Sequence, residues 1–255
     1  TVSVAHKAIN LRITETDDAT RLVATAPAGK GSLTGAIEID ISVAKPAGHE
    51  SLNVLIPWSE RTFQFTSKHN TRPATGTVRV GGRSWAVAAE SDAWGVQDLG
   101  RGIWPYSNRW NWASASGHGT DGRLLGLQFG GKWTIGTGAT ENALCIDGRL
   151  TKISDELEWT YDWANPMAPW RVRTPGSDQV DATLTPSFDR YDVTDLKVLR
   201  MEVHQCFGTW AGRVVGDDGV PVSFEGVRGF AEEARRQSLA VARSRLSAEA
   251  AWAAA

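Results

Sequence analysis

Apolar and polar residues alternate with period two along much of this chain, and that pattern restricts it to strands. Residues 36–43 show it most cleanly, with Ile37, Ile39 and Ile41 set against Glu38 and Asp40. Extended, such a segment has one apolar and one polar face. Residues 2–4 and 9–13 repeat the pattern. Further segments of strand length lie at 52–56, 62–67, 76–80, 85–89, 109–114, 123–129, 142–146, 157–161, 170–173, 179–185, 197–206, 209–215 and 220–227. Gly81-Gly82 reads as a tight hairpin, and Asp121-Gly122, Asp147-Gly148 and Asp218-Gly219 mark turns. Many short strands with turns between them specify a sandwich or barrel, not a parallel sheet with crossover helices. The exception begins at Ala231, where Glu232 and Glu233 precede Arg235 and Arg236 as a helix dipole favours. This segment reads as a short helix followed by an Ala-rich tail to Ala255. The expected organisation is an all-β region over 1–229, as one large domain or two packed halves, and a helix with tail over 230–255.

Charge and cysteine content narrow the classes of partner. The 255 residues carry a net charge of -2 with basic residues scattered, which argues against nucleic acid or an anionic membrane surface. No apolar run approaches the roughly eighteen residues of a membrane helix. Cys145 and Cys206 sit in apolar runs without metal-type spacing, so they read as buried thiols in a reducing compartment, and a cytoplasmic location is expected. Thr1 opens directly into a strand-like pattern, as a processed or fragmentary N-terminus would. Oligomeric state is not legible.

Twelve Trp against three Tyr is the unusual feature of the composition. Indole rings are bulky and carry one N–H that needs a partner, so they suit ligand walls as well as a core. They concentrate at residues 98–112, where Asp98, Arg101, Trp104, Tyr106, Arg109, Trp110, Asn111 and Trp112 fall within fifteen positions. Alternation puts Trp110 and Trp112 on one strand face and Asn111 on the other. A pocket for an apolar or ring-bearing ligand needs such walls with a few fixed polar groups. A core with satisfied polar plugs would use the same residues.

Candidate chemistry follows from the titratable groups. Asp98 beside Arg101 reads either as a structural ion pair or, walled by Trp, as a general acid. Residues 130–138 are glycine-rich but lack the G-K-[ST] ending of a phosphate loop, so the glycines serve close approach of a turn to a wall or ligand. Glu141 then enters an apolar strand, pointing either inward or to solvent. On residues 199–207, Glu202 and His204 share a face, and His204 is the best placed histidine for proton transfer. A metal held by Glu202 and His204 lacks a third ligand nearby. No nucleophile elbow is present.

Several of these motifs together resemble the family called domain of unknown function 2804. The resemblance rests on residues 63–68, 100–106 and 110–114. It continues in order through Gly131-Lys132-Trp133, Thr140-Glu141-Asn142-Ala143, Asp147-Gly148-Arg149, Trp170, Glu202-Val203-His204 and Phe207-Gly208. It spans about residues 52–236, with a short N-terminal region. More distantly the family is similar to lipocalin-like proteins with two β-barrel or β-sandwich halves, among them carotenoid hydratases (hydroxyneurosporene synthase) and tocopherol cyclase. That similarity implies an apolar ligand and no redox cofactor.

The leading expectation is therefore a cofactor-free enzyme, a hydratase, lyase, isomerase or cyclase, acting on an apolar isoprenoid or aromatic small molecule. Asp98 or Glu141 would supply a proton and His204 would relay it. Arg101 and Asn111 would hold the acid or position water. Trp104, Tyr106, Trp110, Trp112 and Trp133 would line the pocket and stabilise positive charge. The alternatives are a non-catalytic lipid or pigment carrier, which needs only the aromatic wall, and a carbohydrate-active protein, whose paired carboxylates and Trp platforms are similar.

Overall fold

The computed structural model describes residues 1–29, 35–196 and 199–238. The fold is all-β. Two compact units divide the chain, Thr1–Glu50 with His69–Gln97, and Ser51–Lys68 with Asp98–Ala255.

The first unit holds β1 (Val2–His6), β2 (Ile9–Glu15), β3 (Ala19–Ala26) and β4 (Ile37–Ala44) in antiparallel succession. β4 continues onto the C-terminal part of β6 (Phe63–Val80), which turns at Gly81-Gly82 into β7 (Arg83–Val87). The hairpin is as the sequence specifies, with Gly81 at a φ of 58°. Among the unit's described residues only Ala24 and Ala74 are buried apolar side chains, so hydrogen-bonded strands with half-covered faces make up most of it.

The second unit carries the core. Its nine-stranded sheet has the order β12-β11-β10-β9-β17-β16-β15-β14-β13, antiparallel throughout. The strands are β9 (Asn108–His118), β10 (Leu124–Gly131), β11 (Asn142–Ile146), β12 (Arg149–Ile153), β13 (Glu158–Thr160), β14 (Trp170–Arg173), β15 (Val180–Asp195), β16 (Leu199–Val215) and β17 (Pro221–Ser238). One face packs Ala113, Leu127, Phe129, Trp170, Leu184 and Trp210 into the main core. The other face meets β5 (Leu52–Pro57), whose Leu52, Val54 and Ile56 point inward, the start of β6 and the end of β8 (Trp94–Ile103).

The structure revises the strand reading in several places, and β8 and β12 are strands that the sequence reading did not include. Residues 62–67 and 76–80 belong to one continuous 18-residue strand, β6. β3 was not legible, because its Ala and Thr positions blur the apolar contrast on which alternation depends. Most consequentially, residues 231–236 are not the start of a helix but part of β17. Glu232 opposes Trp112 and Gln205, and Glu233 opposes Asn111 and His204, so ladders on both sides hold the segment extended against its helical propensity. The Ala-rich tail from residue 239, and residues 197–198 of an expected strand, lie outside the described residues. Cys145 and Cys206 are both buried as thiols. Among the described residues no helix is long and apolar enough to cross a membrane.

Candidate functional site

The start of β6 alternates from Phe63 to Thr66, with Phe63 and Phe65 exposed and Gln64 and Thr66 buried, and Lys68 beyond them is buried too. Those three polar side chains project between the two layers of the second unit, a position that demands partners. β8 supplies them from alongside. Gly100 and Gly102 allow its approach, since a Cβ at Gly102 would collide with the Phe63 carbonyl oxygen and the Gln64 amide. Asp98 then receives Lys68 Nζ at 2.8 Å on Oδ2 and the Thr66 hydroxyl at 3.0 Å on Oδ1.

Lys68 also faces Glu141, its Nζ 3.5 Å from Oε1. Glu141 is only 3% exposed. The close passage of Gly130 makes room for it, a Cβ there falling 2.8 Å from that of Glu141. Burial pushes the Glu141 carboxyl above its ordinary range and the nearby Asp98 adds to this, against the opposing pull of Lys68, Thr66 and Trp133. A third carboxylate, Glu232 of β17, accepts from Trp110 Nε1 at 3.1 Å and Gln205 Nε2 at 2.8 Å, and burial raises it too.

An aromatic wall closes round this group. Trp104 lies 5.0 Å from Trp58, 5.5 Å from Trp110 and 5.7 Å from Trp133 between ring centroids. Each indole N–H is committed. Trp104 donates to Gln64 Oε1, Trp112 to Gln128 Oε1, Trp133 to Glu141 Oε2 and Trp58 to the Trp133 carbonyl. Such bonds fix the ring planes, as expected of buried Trp. Lys68 Nζ sits 3.9 Å from the Trp112 ring centroid, a cation–π contact. Trp104, Trp110, Trp112 and Trp133 line a cavity of about 180 Å³ together with Gln64, Thr66, Lys68 and the three carboxylates. A larger open groove of about 560 Å³ runs past Arg171, Asp181 and Arg213. Arg171 is spent on Asp181 there, and no aromatic side chain lines the groove, so the smaller cavity is the better candidate.

The expected site residues divide between the two faces of the nine-stranded sheet. Asp98, Glu141, Trp104, Trp110, Trp112 and Trp133 converge on the cavity. Asp98 pairs with Lys68 there rather than with Arg101, which is exposed, and Tyr106 is 73% exposed. Asn111 is on the opposite face, donating to Tyr161 and to the Glu232 carbonyl. His204 is on that face too, its Nδ1 2.7 Å from Asp189 Oδ2, while Glu202 accepts from the Tyr191 hydroxyl. No three His, Cys, Asp or Glu side chains among the described residues are grouped to hold a metal.

Sequence reasoning missed Lys68, Gln64, Thr66 and Glu232. For the first three a signal existed, because alternation between Phe63 and Phe65 puts them on one face. Glu232 was hidden by the helical reading of its segment.

Comparison with known proteins fits this architecture. Kievitone hydratase from Nectria haematococca superposes with a TM-score of 0.53 over 92% of this chain and 70% of its own, at 15% identity. A candidate AttH from Nitrosomonas europaea gives 0.37 over 87% and 68%, at 14% identity. At such identities the first likeness establishes a shared fold. No curated protein sequence matches the chain. The profile of the family described as domain of unknown function (DUF2804) matches residues 1–237, and the chain belongs to that family.

Proposed function

We propose that the chain is an enzyme that adds water to a carbon–carbon double bond of an apolar isoprenoid or aromatic small molecule, with Glu141 as the acid. The observation that carries this is a carboxyl group 3% exposed, raised by burial, lining an indole-walled cavity. A carboxyl whose surroundings favour its protonated form is what acid-initiated addition requires. The alkene π pair takes the proton from Glu141 and forms the new C–H bond, leaving a carboxylate and a carbon cation. The Trp faces and the carboxylates stabilise that cation. A water oxygen then bonds to the cationic carbon and releases one proton to Glu232, from which it returns to solvent. Glu141 regains its proton from solvent through the cavity.

Lys68, Asp98 and Thr66 position the acid in this scheme. Lys68 stabilises the carboxylate as it forms, and Asp98 keeps the ammonium from holding Glu141 ionised beforehand. His204, facing Asp189 on the other side of the sheet, has no part in the transfer. The fold is shared with a protein named as a hydratase, which makes kievitone a reasonable first compound to test.

The test is incubation in D₂O with kievitone and a panel of isoprenoid and aromatic alkenes, read by mass spectrometry. A product heavier by one water and carrying one non-exchangeable deuterium supports the assignment if Glu141→Gln, folded by circular dichroism, does not form it. Full turnover by Glu141→Gln overturns the role of Glu141. Tight binding of a panel compound that is never altered favours the carrier alternative.

A further inference from the structure

Acidic groups outnumber basic ones around the cavity. Three carboxylates (Asp98, Glu141 and Glu232) line it, and Lys68 is the one cation among its described lining residues. That ammonium is engaged by Asp98 at 2.8 Å and by Glu141 at 3.5 Å. Its remaining contact is the ring of Trp112. The protein thus already seats one ammonium against this indole wall.

Hydrogen-bonding capacity is a separate matter from charge. Glu232 receives one protein donor on each oxygen, from Trp110 and Gln205. Glu141 takes Trp133 on one oxygen and faces Lys68 with the other. The rest of the wall is indole faces whose N–H groups are already committed, so what it offers a ligand is π-surface together with the field of the carboxylates. A cation without N–H donors, enclosed by aromatic rings, uses such a field fully. An anionic ligand would be opposed by Asp98 and, to the extent that they are ionised, by Glu141 and Glu232.

We infer that this cavity selects organic cations of the quaternary ammonium type, flanked by apolar groups, over neutral compounds of the same shape, and rejects carboxylates. The inference rests on the same cavity as the proposed hydration but not on its chemistry, since binding a permanent cation needs no proton transfer.

The test uses the unaltered protein and three probes of similar shape: choline, 3,3-dimethylbutan-1-ol and 3,3-dimethylbutanoate. Dissociation constants come from tryptophan fluorescence and calorimetry at constant ionic strength. Choline is expected to bind at least about tenfold more tightly than the neutral alcohol, with the carboxylate weakest. Choline affinity is also expected to rise as pH increases through the raised pKa values of Glu141 and Glu232, because a bound cation favours their ionised forms. The groups facing those two are Lys68 of β6, Asp98 of β8, Thr66, Trp133, Trp110 and Gln205, with Lys152 of β12 electrostatically coupled to Glu141. Affinity for the alcohol should stay flat over the same range. Glu232→Gln should narrow the preference between choline and alcohol several-fold.

Equal affinity for choline and the alcohol, preference for the carboxylate, or no binding by any of the three overturns the inference. The hydration assignment is decided separately by deuterium incorporation and Glu141→Gln. A failed cation preference with intact Glu141-dependent turnover would remove only the inference made here.

Discussion

Glu232 and Glu233 are consecutive in β17 and both buried, yet their carboxyls are driven in opposite directions. Glu232 enters the Trp-walled cavity, where two neutral donors reach it and burial raises its pKa. Glu233 faces the other side of the sheet. Burial raises it as well, but bonds from Arg235, Lys132, Tyr161 and Arg109 outweigh this and hold it at about 2. Three cationic nitrogens lie within 2.9 Å of its Oε1. The Tyr161 hydroxyl donates to its Oε2 at 2.7 Å, and the Tyr161 ring stacks on Trp170. Burial alone therefore does not set the state of a carboxyl; the charge of its partners does. One face of the sheet shifts its carboxyls towards the protonated form and the other fixes a charge as a structural anchor. Pleating makes this possible, since Trp110 and Trp112 are separated from Asn111 just as Glu232 is from Glu233.

This contrast can be broken by substitution. The largest effect is expected at Glu141, where Gln should lower turnover about a thousandfold, within the usual range for loss of a general acid, while thermal unfolding changes little. Steady-state rates on the first active compound, beside a melting curve, check both halves. On the proposed mechanism the rate of the unaltered protein should also fall as pH rises through the raised pKa of Glu141, because only the protonated form donates.

Next comes Glu233→Gln, which removes the counter-charge of Arg109, Lys132 and Arg235. It should destabilise the protein by about 3 kcal/mol at pH 7, measured by urea unfolding. The sign follows from the depressed pKa. The stabilisation is complete above the ordinary value of 4.5 and is lost as pH falls towards about 2, so variant and parent should converge across that interval. A destabilisation that persists unchanged at pH 2 would mean that packing, not charge, is what Glu233 supplies.

Glu232→Gln should act in the opposite direction and more weakly. A carboxyl with a raised pKa opposes folding above its unfolded value, so its removal should stabilise by up to about 1 kcal/mol at pH 8 and by nothing at pH 4. Loss of stability at pH 8 would erase the distinction between the two neighbours. The smallest effects are expected at Arg101 and Tyr106. Alanine at either exposed position should change stability by no more than about 0.5 kcal/mol and leave cavity binding intact, as titration with choline would show.

Much of the fold was readable because alternation reports a local property, the two faces of an extended segment. It located β1, β2, β4, β5 and β11 and the hairpin at Gly81-Gly82 with little error. It also put Trp110 and Trp112 together and Asn111 apart. It failed where local preference and tertiary pairing disagree. Residues 231–236 favour a helix by composition and dipole, and only the ladders with β9 and β16 hold them extended. That error concealed Glu232, and with it the third carboxylate of the cavity. Asp98 beside Arg101 was a second case of proximity in sequence misdirecting a pairing. In a strand, residues three apart point to opposite faces, so Arg101 turns to solvent while Asp98 turns to Lys68, 30 residues earlier.

The sequence by itself determined an all-β chain, its turns, the Trp-rich stretch, and Glu141 entering an apolar strand. Each depends on residue type and spacing along a few positions. Which carboxylate meets which cation was decided by tertiary structure, because Lys68, Asp98, Glu141 and Glu232 come from four separate segments and meet only when β6, β8, β11 and β17 are in place. The charge state of each depends on that meeting, since desolvation and Coulomb interaction act through space and not along the chain.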